Sequence, residues 1–395
     1  MKSNYKQLGQ FIRQVDVRNS EGKEENLLGV SVQKKFIPSI ANTVGTDFKK
    51  YKVVKKGQFT YIPDTSRRGD KIGIALLEDY EEGLVSNVYT VFEIIDEKQL
   101  IPEYLMLWFS RPEFDRYARF KSHGSVREVM DWDEMCKVEL PVPPYEKQKE
   151  IVDGYKAITE RIALKQKIND NLVACIDTIF NEQFGNFKAL AESSTANTDF
   201  SSLPDGWTIE NAVHSFDISI GKTPPRSEPE WFTSNQTDNV WISIADMKTN
   251  SPFIFKSAEY LTNEAVKKHN VKIVPANSVL LSFKMTVGRV AIVTNEVTTN
   301  EAIAHFPCTK ENLFFVYCYL KNFNYGYLGS TSSITTAINS KIIKEMPFLM
   351  PSKKELDLFN HKVSGLFEQL KYISKELDIL EELSKMLLPQ LLGHC

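Results

Sequence analysis

The sequence has few cysteines and no long apolar run. Its 395 residues include five cysteines, an odd number, and no two of them form a Cys-x-x-Cys pair. Neither a zinc site nor a dithiol redox centre is therefore expected, and the cysteines are interpreted as reduced. No apolar stretch approaches the roughly 20 residues of a membrane-spanning helix. We expect a cytoplasmic protein that contacts no membrane.

Motifs that bind nucleotides, methyl donors or metals are also missing. The chain has no Gly-x-x-x-x-Gly-Lys-Ser/Thr loop, no glycine-rich loop after a strand, and no histidines at ligand spacing among its six. Val142-Pro143-Pro144-Tyr145 is similar to an adenine methyltransferase motif. Valine, however, replaces the residue that accepts a hydrogen bond from the target amino group. The sequence therefore indicates a non-catalytic chain that itself binds no cofactor and no metal.

Positive charge is not in excess. The formal net charge is −3, which argues mildly against DNA binding, because lysines and arginines must neutralise the phosphates. Basic residues nevertheless cluster in three places: Lys49, Lys50, Lys52, Lys55 and Lys56 before a predicted strand, Arg67, Arg68 and Lys71 in a predicted turn, and Arg116, Arg119, Lys121 and Arg127 beside Gly124. Such local clusters suffice if a partner protein supplies most of the phosphate contacts.

An internal repeat divides the chain. The content of 42% apolar and 25% charged residues is that of a globular protein, and the length predicts two or three domains. Three pairs of segments recur in the same order: residues 71–75 and 289–293, residues 124–125 and 329–330, and residues 139–145 and 345–351. The third pair is rich in proline. The repeat predicts two similar halves.

A long helical pattern follows each proline-rich segment. Apolar residues at spacings of three and four predict two coiled-coil seams that pair with each other. The first seam comprises Ile151, Tyr155, Ile158, Ile162, Leu172 and Ile176, and the second comprises Phe359, Val363, Leu366, Leu370, Ile373, Leu377 and Leu380. Lys165 and Asn169, at the polar centre of the first seam, either fix the register of the pair or face solvent where the seam opens.

The globular parts are predicted to be α+β, each with a substantial sheet. Strands are expected near residues 27–32, 59–62, 240–244 and 279–283, and one helix per domain is expected near residues 103–120 and 313–321. The predicted boundaries are 1–145 for the first domain, 146–187 for the first helical region, 188–202 for a linker, 203–350 for the second domain and 351–395 for the second helical region.

Several segments together resemble one protein family. They are the proline-to-helix junction at residues 143–152, Leu203-Pro204-Asp205-Gly206-Trp207, Gly221-Lys222-Thr223-Pro224 and residues 241–246. With them, the chain resembles a specificity subunit of a type I restriction-modification system over its whole length. The resemblance implies two target-recognition domains and two long helices that form an antiparallel coiled coil about a pseudo-two-fold axis. The second junction, residues 351–355, lacks the glutamine of the first.

The resemblance also implies partners and a mode of action. The chain would read double-stranded DNA and dock two methyltransferase subunits, which use S-adenosylmethionine to methylate adenine, and through them the restriction and translocase subunits. A helix of about 35 residues spans roughly 50 Å, and equivalent faces of B-DNA recur about every 34 Å. We therefore expect a bipartite target with an unread spacer, and an asymmetric one because the two domains differ in sequence.

Twelve residues are candidates for DNA contact: Arg67, Arg68, Lys71, Lys121, Ser125, Arg127, Lys222, Lys284, Arg289, Ser330, Thr331 and Ser332. The serines and threonine belong to loops of small, hydrogen-bonding residues suited to close approach to DNA. These loops are otherwise solvated turns. For the whole protein the alternative is a silent or recombining copy of a specificity gene, or a coiled-coil scaffold without DNA readout; a lone methyltransferase is a third hypothesis.

Overall fold

The computed structural model describes residues 5–39, 45–64, 71–122, 128–193, 200–201, 203–248, 251–328 and 338–393, with side chains as far as residue 387. The chain divides into two units, residues 1–161 with 380–395 and residues 162–379. Within the described ranges, every helix is either too short or too polar to cross a lipid bilayer.

Nine α-helices and twenty-one strands occur in the described residues. The helices are α1 Pro102–Phe109, α2 Pro112–Lys121, α3 Trp132–Cys136, α4 Tyr145–Glu192, α5 Ala212–Ser215, α6 Asn263–Lys268, α7 Leu313–Asn322, α8 Ser340–Glu345 and α9 Lys353–Gly393. Short 3-10 helices span Leu8–Gln10, Phe48–Lys50, Pro229–Trp231 and Tyr325–Leu328.

The strands are short. Those of the first unit are β1 Tyr5–Gln7, β2 Ile12–Val15, β3 Leu28–Val30, β4 Phe36–Pro38, β5 Lys52–Lys55, β6 Phe59–Tyr61, β7 Ile74–Leu76, β8 Glu82–Val85, β9 Thr90–Ile94 and β10 Glu139–Pro141. Those of the second unit are β11 Thr208–Asn211, β12 Ser219–Ile220, β13 Phe232–Thr233, β14 Asn239–Ile242, β15 Phe253–Ile254, β16 Glu259–Leu261, β17 Ser278–Ser282, β18 Val290–Val293, β19 Thr298–Thr299, β20 Ile303–Pro307 and β21 Pro347–Met350.

The first unit has a four-stranded antiparallel sheet in the order β2-β9-β6-β7, with the smaller pairs β1-β10, β3-β4 and β5-β8. Phe59 and Phe92, on neighbouring strands, stack with their ring centroids 4.9 Å apart. Phe109 of α1 meets both rings edge-on. Ile151 of α4 is buried in this same core. The start of α4 is thus part of the domain, and the prediction that Ile151 belongs to the coiled-coil seam is corrected.

The second unit has a five-stranded sheet in the order β12-β20-β17-β18-β15, a four-stranded sheet in the order β13-β16-β14-β19, and the pair β11-β21. The predicted repeat is confirmed in this topology. The order β2-β9-β6-β7 of the first unit recurs as β12-β20-β17-β18, and in both units the first strand pairs with the strand that precedes the long helix. The predicted α+β class is likewise confirmed.

The single helix predicted near residues 103–120 is two helices. Pro112 is the first residue of α2 and has no N–H to continue the hydrogen-bond ladder of α1. Arg111 before it is extended, with φ −74° and ψ 140°, as a residue that precedes proline prefers to be. The helix predicted near residues 313–321 is confirmed as α7.

The long helices run antiparallel within the second unit. Lys165 of α4 forms an ion pair of 2.7 Å with Glu376 of α9, whereas Gln183 further along α4 donates a hydrogen bond of 3.0 Å to Glu355 near the start of α9. Partner numbers therefore fall as α4 advances, which confirms the predicted antiparallel coiled coil. The Lys165 pair supports the interpretation that this polar position fixes register. Asn169 is buried.

The seam contains more aromatic residues than the sequence pattern indicated. Ile176, Phe359, Val363 and Leu370 are buried in one core, with Leu172 and Leu366 packed against it. Ile373 is buried as well, and Tyr155, Ile158, Ile162, Leu377 and Leu380 are half-buried. Phe180, Phe184 and Phe367, which the seam prediction omitted, are fully buried in this core. A spacing of three and four describes a helix that meets one partner, whereas a helix that meets a globular domain as well buries a wider stripe.

The end of α4 forms part of the core of the second unit. The helix continues to Glu192, so residues 188–192 are helical and the predicted linker begins too early. Trp207 packs on Phe184 and Phe187 of α4, with ring centroids 5.7 and 4.7 Å apart. Gly206 precedes it with φ +78°, a conformation that favours glycine. The Leu203–Trp207 motif thus fastens the second domain to the helix.

The two helix junctions use different amides for the same task. Gln148 is fully buried, donates to the carbonyls of Gln99 and Pro143, and accepts from the Ile101 amide. These bonds tie α4 to the loop before α1. At the second junction Asn360 of α9 donates a hydrogen bond of 2.7 Å to the Glu311 carbonyl before α7. The second junction has no counterpart of Gln148, and Asn360 links its helix to the loop before α7 instead.

The Phe184→Ala substitution tests the shared core. Phe184 meets Phe315 and Phe359 edge-on at centroid distances of 4.9 and 5.3 Å. Truncation leaves a cavity among these rings, so we expect the free energy of unfolding to fall by about 3–5 kcal/mol. Denaturant unfolding measures the change. The control is Leu164→Ala on the same helix, where the side chain is exposed and the change should stay within about 0.5 kcal/mol; equal losses would contradict the assignment.

Candidate nucleic-acid interface

Three loops meet at one end of the strands of the five-stranded sheet in the second unit. They are residues 221–226 after β12, the hairpin loop 283–289 between β17 and β18, and residues 299–302 before β20. The Lys222 amide donates to the Thr299 carbonyl at 2.9 Å, and the Phe283 amide donates to the Ala302 carbonyl at 2.9 Å. Backbone hydrogen bonds therefore hold the three loops together as one surface, which we call the loop edge.

Gly221 allows the closest of these approaches. A Cβ atom at this position would lie 2.1 Å from the Asn300 carbonyl oxygen, which no other residue tolerates without a backbone shift. The glycine thereby sets the position of the exposed Lys222 that follows. The indole N–H of Trp241 donates to the Lys222 carbonyl at 3.4 Å. Two of the motifs singled out in the sequence are therefore neighbours in the fold.

The candidate cations of this unit differ in exposure. Lys222 and Lys284 are exposed on the loop edge. Arg289 is half-buried, and its guanidinium donates a hydrogen bond of 2.6 Å to the Ile244 carbonyl, which anchors the hairpin to the segment 241–246. Arg226 lies over the rings of Phe232 and Trp241 at 4.0 and 4.8 Å.

Two carboxylates on or beside the loop edge, Glu259 and Glu301, already have hydrogen-bond partners. Arg226 forms two hydrogen bonds to Glu259 at 2.7 and 2.8 Å. The pKa of Glu301 is lowered: partial burial opposes its ionisation, but a hydrogen bond from the Thr223 hydroxyl, the backbone amide and the charge of Lys284 outweigh that effect. Because Glu301 stays ionised, its negative charge partly offsets the positive charge of Lys284.

In the first unit, the residue before one candidate loop, Asp64, lies beside Val129, which follows the other candidate loop. Asp64 and Val129 form an antiparallel bridge, and the Met130 amide donates to the Pro63 carbonyl at 2.9 Å. Arg67, Arg68, Ser125 and Arg127 lie outside the described residues, as do Ser330, Thr331 and Ser332 of the second half. Lys71 is exposed, whereas Lys121 is half-buried with its Nζ 3.9 Å from Glu134.

A buried ion pair, which the sequence did not reveal, supports the base of one of these loops. Lys34 and Asp115 lie 2.7 Å apart with side chains only 7% and 10% exposed, and Asp115 also accepts the Ile72 amide at 3.2 Å. Burial lowers the pKa of Lys34, although the hydrogen bond and charge of Asp115 oppose the shift. Nothing in the local pattern around Lys34 indicates this pairing, because its partner is far away in sequence.

A neutral, buried histidine lies beneath the loop edge of the second unit. His305 is fully buried on β20, with Nδ1 2.9 Å from the Ser219 hydroxyl and Nε2 2.7 Å from the Thr299 hydroxyl. One ring nitrogen donates and the other accepts, so the two hydroxyls satisfy a neutral imidazole. Desolvation lowers its pKa to about 4. Through these two hydroxyls the histidine links β12 to Thr299, the last residue of β19.

The comparison with protein-family models is decisive for the family. The model described as "Type I restriction modification DNA specificity domain" matches residues 9–174 and 215–385. These two matches coincide with the two copies of the structural repeat. The chain belongs to the family of type I restriction-modification specificity subunits.

The similarity of this specificity subunit to two relatives covers most of the chain. It is 23% identical to the type I restriction enzyme HindI specificity subunit of Haemophilus influenzae, over 87% of each chain. It is 22% identical to the type I restriction enzyme MjaIX specificity subunit of Methanocaldococcus jannaschii, over 75% of this chain and 70% of that one. Both similarities extend across the repeat.

A solved structure supports the fold. The type I restriction-modification system S subunit from M. genitalium superposes with a TM-score of 0.56 at 14% identity, over 98% of this chain and 95% of that one. Within the described residues of the specificity subunit, no three His, Cys, Asp or Glu side chains are grouped to hold a metal ion.

The buried histidine predicts a pH dependence of stability. Unfolded His305 titrates near pH 6.5 and folded His305 near pH 4, so between these values the unfolded chain binds more protons. Stability attributable to His305 is full above about pH 6.5 and falls by up to about 3 kcal/mol as the pH drops towards 4. Urea unfolding from pH 7 to 4.5 should show this loss, and His305→Gln should remove it. The exposed His214 provides the control: His214→Gln should keep the wild-type pH dependence, and a dependence unchanged in His305→Gln would refute the assignment.

Proposed function

We propose that this specificity subunit is the non-catalytic, DNA-reading chain of a type I restriction-modification complex, and that it acts in the cytoplasm. The observation that carries the proposal is a pair of neighbouring loop segments that occurs in both units. In the first unit the loop after β6 lies beside the chain that leaves α2, through the Asp64–Val129 bridge. In the second unit the hairpin after β17 lies beside the chain that leaves α7, because Gly288 packs on Tyr325. Each unit has equivalent loops to present to DNA.

Two equivalent edges in one chain favour a target in two parts. The loops carry different residues in the two units, so the half-sites should differ and the whole target should be asymmetric. The proposed contacts in the first unit are Arg67, Arg68, Lys71, Lys121, Ser125 and Arg127, and those in the second unit are Lys222, Lys284, Arg289, Ser330, Thr331 and Ser332. Arg289 is the weakest of these proposals, since its guanidinium already bonds to a backbone carbonyl.

The helices are the proposed docking surface for partners. Apart from the buried seam, α4 and α9 carry exposed apolar side chains, among them Leu164, Leu358, Tyr372 and Ile379. Two helical regions provide for two methyltransferase subunits, each supplying S-adenosylmethionine chemistry that this chain lacks. Restriction and translocase subunits would then join through the methyltransferases. A silent gene copy or a scaffold without DNA readout is the competing outcome of the tests below.

Mapping of modified adenines by single-molecule sequencing tests the proposal directly. Deletion of this gene from its source cell should abolish methylation at one split, asymmetric motif, and re-expression of the gene should restore it. The other methylated motifs of the same genome are the internal control. An unchanged methylation map would refute DNA-reading activity and support a silent copy or a scaffold.

Charge removal on the loop edge tests the contact surface. The double substitution Lys222→Ala with Lys284→Ala should weaken binding of the methyltransferase complex to all duplexes and reduce the slope of log Kd against log salt by about 2, or about 1 per phosphate contact. Fluorescence anisotropy at several salt concentrations measures this slope. Lys267→Ala, which removes an exposed charge from α6, should leave it unchanged. A double variant with the wild-type slope would place the DNA elsewhere.

A further inference from the structure

One exposed side chain on the loop edge differs in kind from the lysines around it. Met285 is 98% exposed, although methionine is an apolar residue that usually fills gaps in cores. Its backbone has φ +58°, a left-handed conformation that is uncommon for residues other than glycine, asparagine and aspartate. Single exposed apolar residues are common on protein surfaces, so exposure alone assigns no role. The case depends on how the loop is built.

The hairpin that carries Met285 is held rigidly at its base. The buried Ser282 hydroxyl donates to the Thr286 carbonyl at 2.6 Å and accepts the Arg289 amide at 3.0 Å. The Gly288 amide donates to the Ser282 carbonyl at 2.9 Å. A Cβ at Gly288 would lie 3.2 Å from the half-buried Tyr325 ring. The backbone on both sides of Met285 is therefore fixed while its side chain projects into solvent.

The charges around Met285 suit DNA. Lys284 precedes it in the same loop and is exposed. The Phe283 amide donates to the loop 299–302, which also accepts the Lys222 amide. The equivalent hairpin of the first unit, between β6 and β7, contains Arg67 and Arg68. Lysines that contact phosphates position a protein but carry no sequence information, which has to come from groups that reach base edges. Met285 is placed to be such a group.

We infer that Met285 reads a thymine in the half-site of the second unit through apolar contact with the C5-methyl group. A thioether cannot donate to the guanine acceptors, and it accepts only weakly from the amino groups of adenine and cytosine. The thymine methyl is the apolar group that the major groove presents. The inference rests on the proposed DNA-reading function and assigns one residue a part in its specificity.

Deoxyuridine, which lacks that methyl group, provides the test. Duplexes carrying the mapped motif would have each thymine of this half-site replaced in turn, and their binding to the complex with its methyltransferases would be measured. With the wild-type chain, one replacement should weaken binding about fourfold, the value of one buried methyl group. With Met285→Ala and Met285→Gln the same replacement should have no effect. Both variants should unfold like the wild type, because the side chain is exposed.

Ile273→Ala is the matched control, since Ile273 is another exposed apolar residue of the same unit; it should keep the fourfold effect. The inference is wrong if the half-site contains no thymine, if deoxyuridine weakens the wild type and Met285→Ala equally, or if Met285→Ala weakens binding without any dependence on the methyl group. That last result would indicate a wedge between base steps. If the wild-type complex binds no motif specifically, the proposed function itself fails.

Discussion

The packing of aromatic side chains between the long helices and the second recognition domain is the interaction on which this unit depends. Phe180 and Phe184 of α4, Phe359 of α9 and Phe315 of α7 are fully buried in one core. Neither helix can hide these rings against the other helix alone. The domain covers the rest of these rings. Without the rings, the apolar face of helix α7 would be exposed to solvent. Helix pair and domain therefore form one cooperative unit.

This shared core explains where loops can vary. Residues that pack on α4, such as Trp207 and Phe315, are constrained by ring contacts on several sides. The loops at the far end of strands β12, β17 and β20 are held by backbone hydrogen bonds, by the buried polar groups His305 and Ser282, and by the close approach of Gly221 to Asn300. Exposed side chains on those loops, such as Lys222 and Lys284, can change without loss of core packing. A domain of this design can change these exposed side chains while it keeps its attachment to the helices.

Much of the architecture could be predicted from the sequence, because it follows from repetition and periodicity. The proline-rich junctions, the recurrence around residues 71–75 and 289–293, and the helical spacing predicted two α+β halves with antiparallel helices. The seam was predicted less well. Phe180 and Phe184 escaped a coiled-coil pattern because a helix that also contacts a domain buries residues outside the a and d positions. The end of α4 was likewise placed too early, since a polar composition does not reveal tertiary support for a last helical turn.

The candidate site was predictable by residue type but not by geometry. Lys222 and Lys284 were selected as cations in loops, and the fold brings those loops together through bonds between Lys222 and Thr299 and between Phe283 and Ala302. Long-range pairings such as Lys34 with Asp115 leave no local signal, because the partners are separated by most of a domain.

The two units hold the base of the equivalent hairpin loop by different interactions. In the first, a buried ion pair reaches the base of the loop through the Ile72 amide. In the second, a serine hydroxyl and a glycine against Tyr325 hold the hairpin. An ion pair and a hydroxyl clamp both cost desolvation, and each is stable only when its polar atoms are satisfied. The two units therefore share their topology without sharing these contacts, as expected if the sheet and helices determine the fold and the loops are supported separately in each unit.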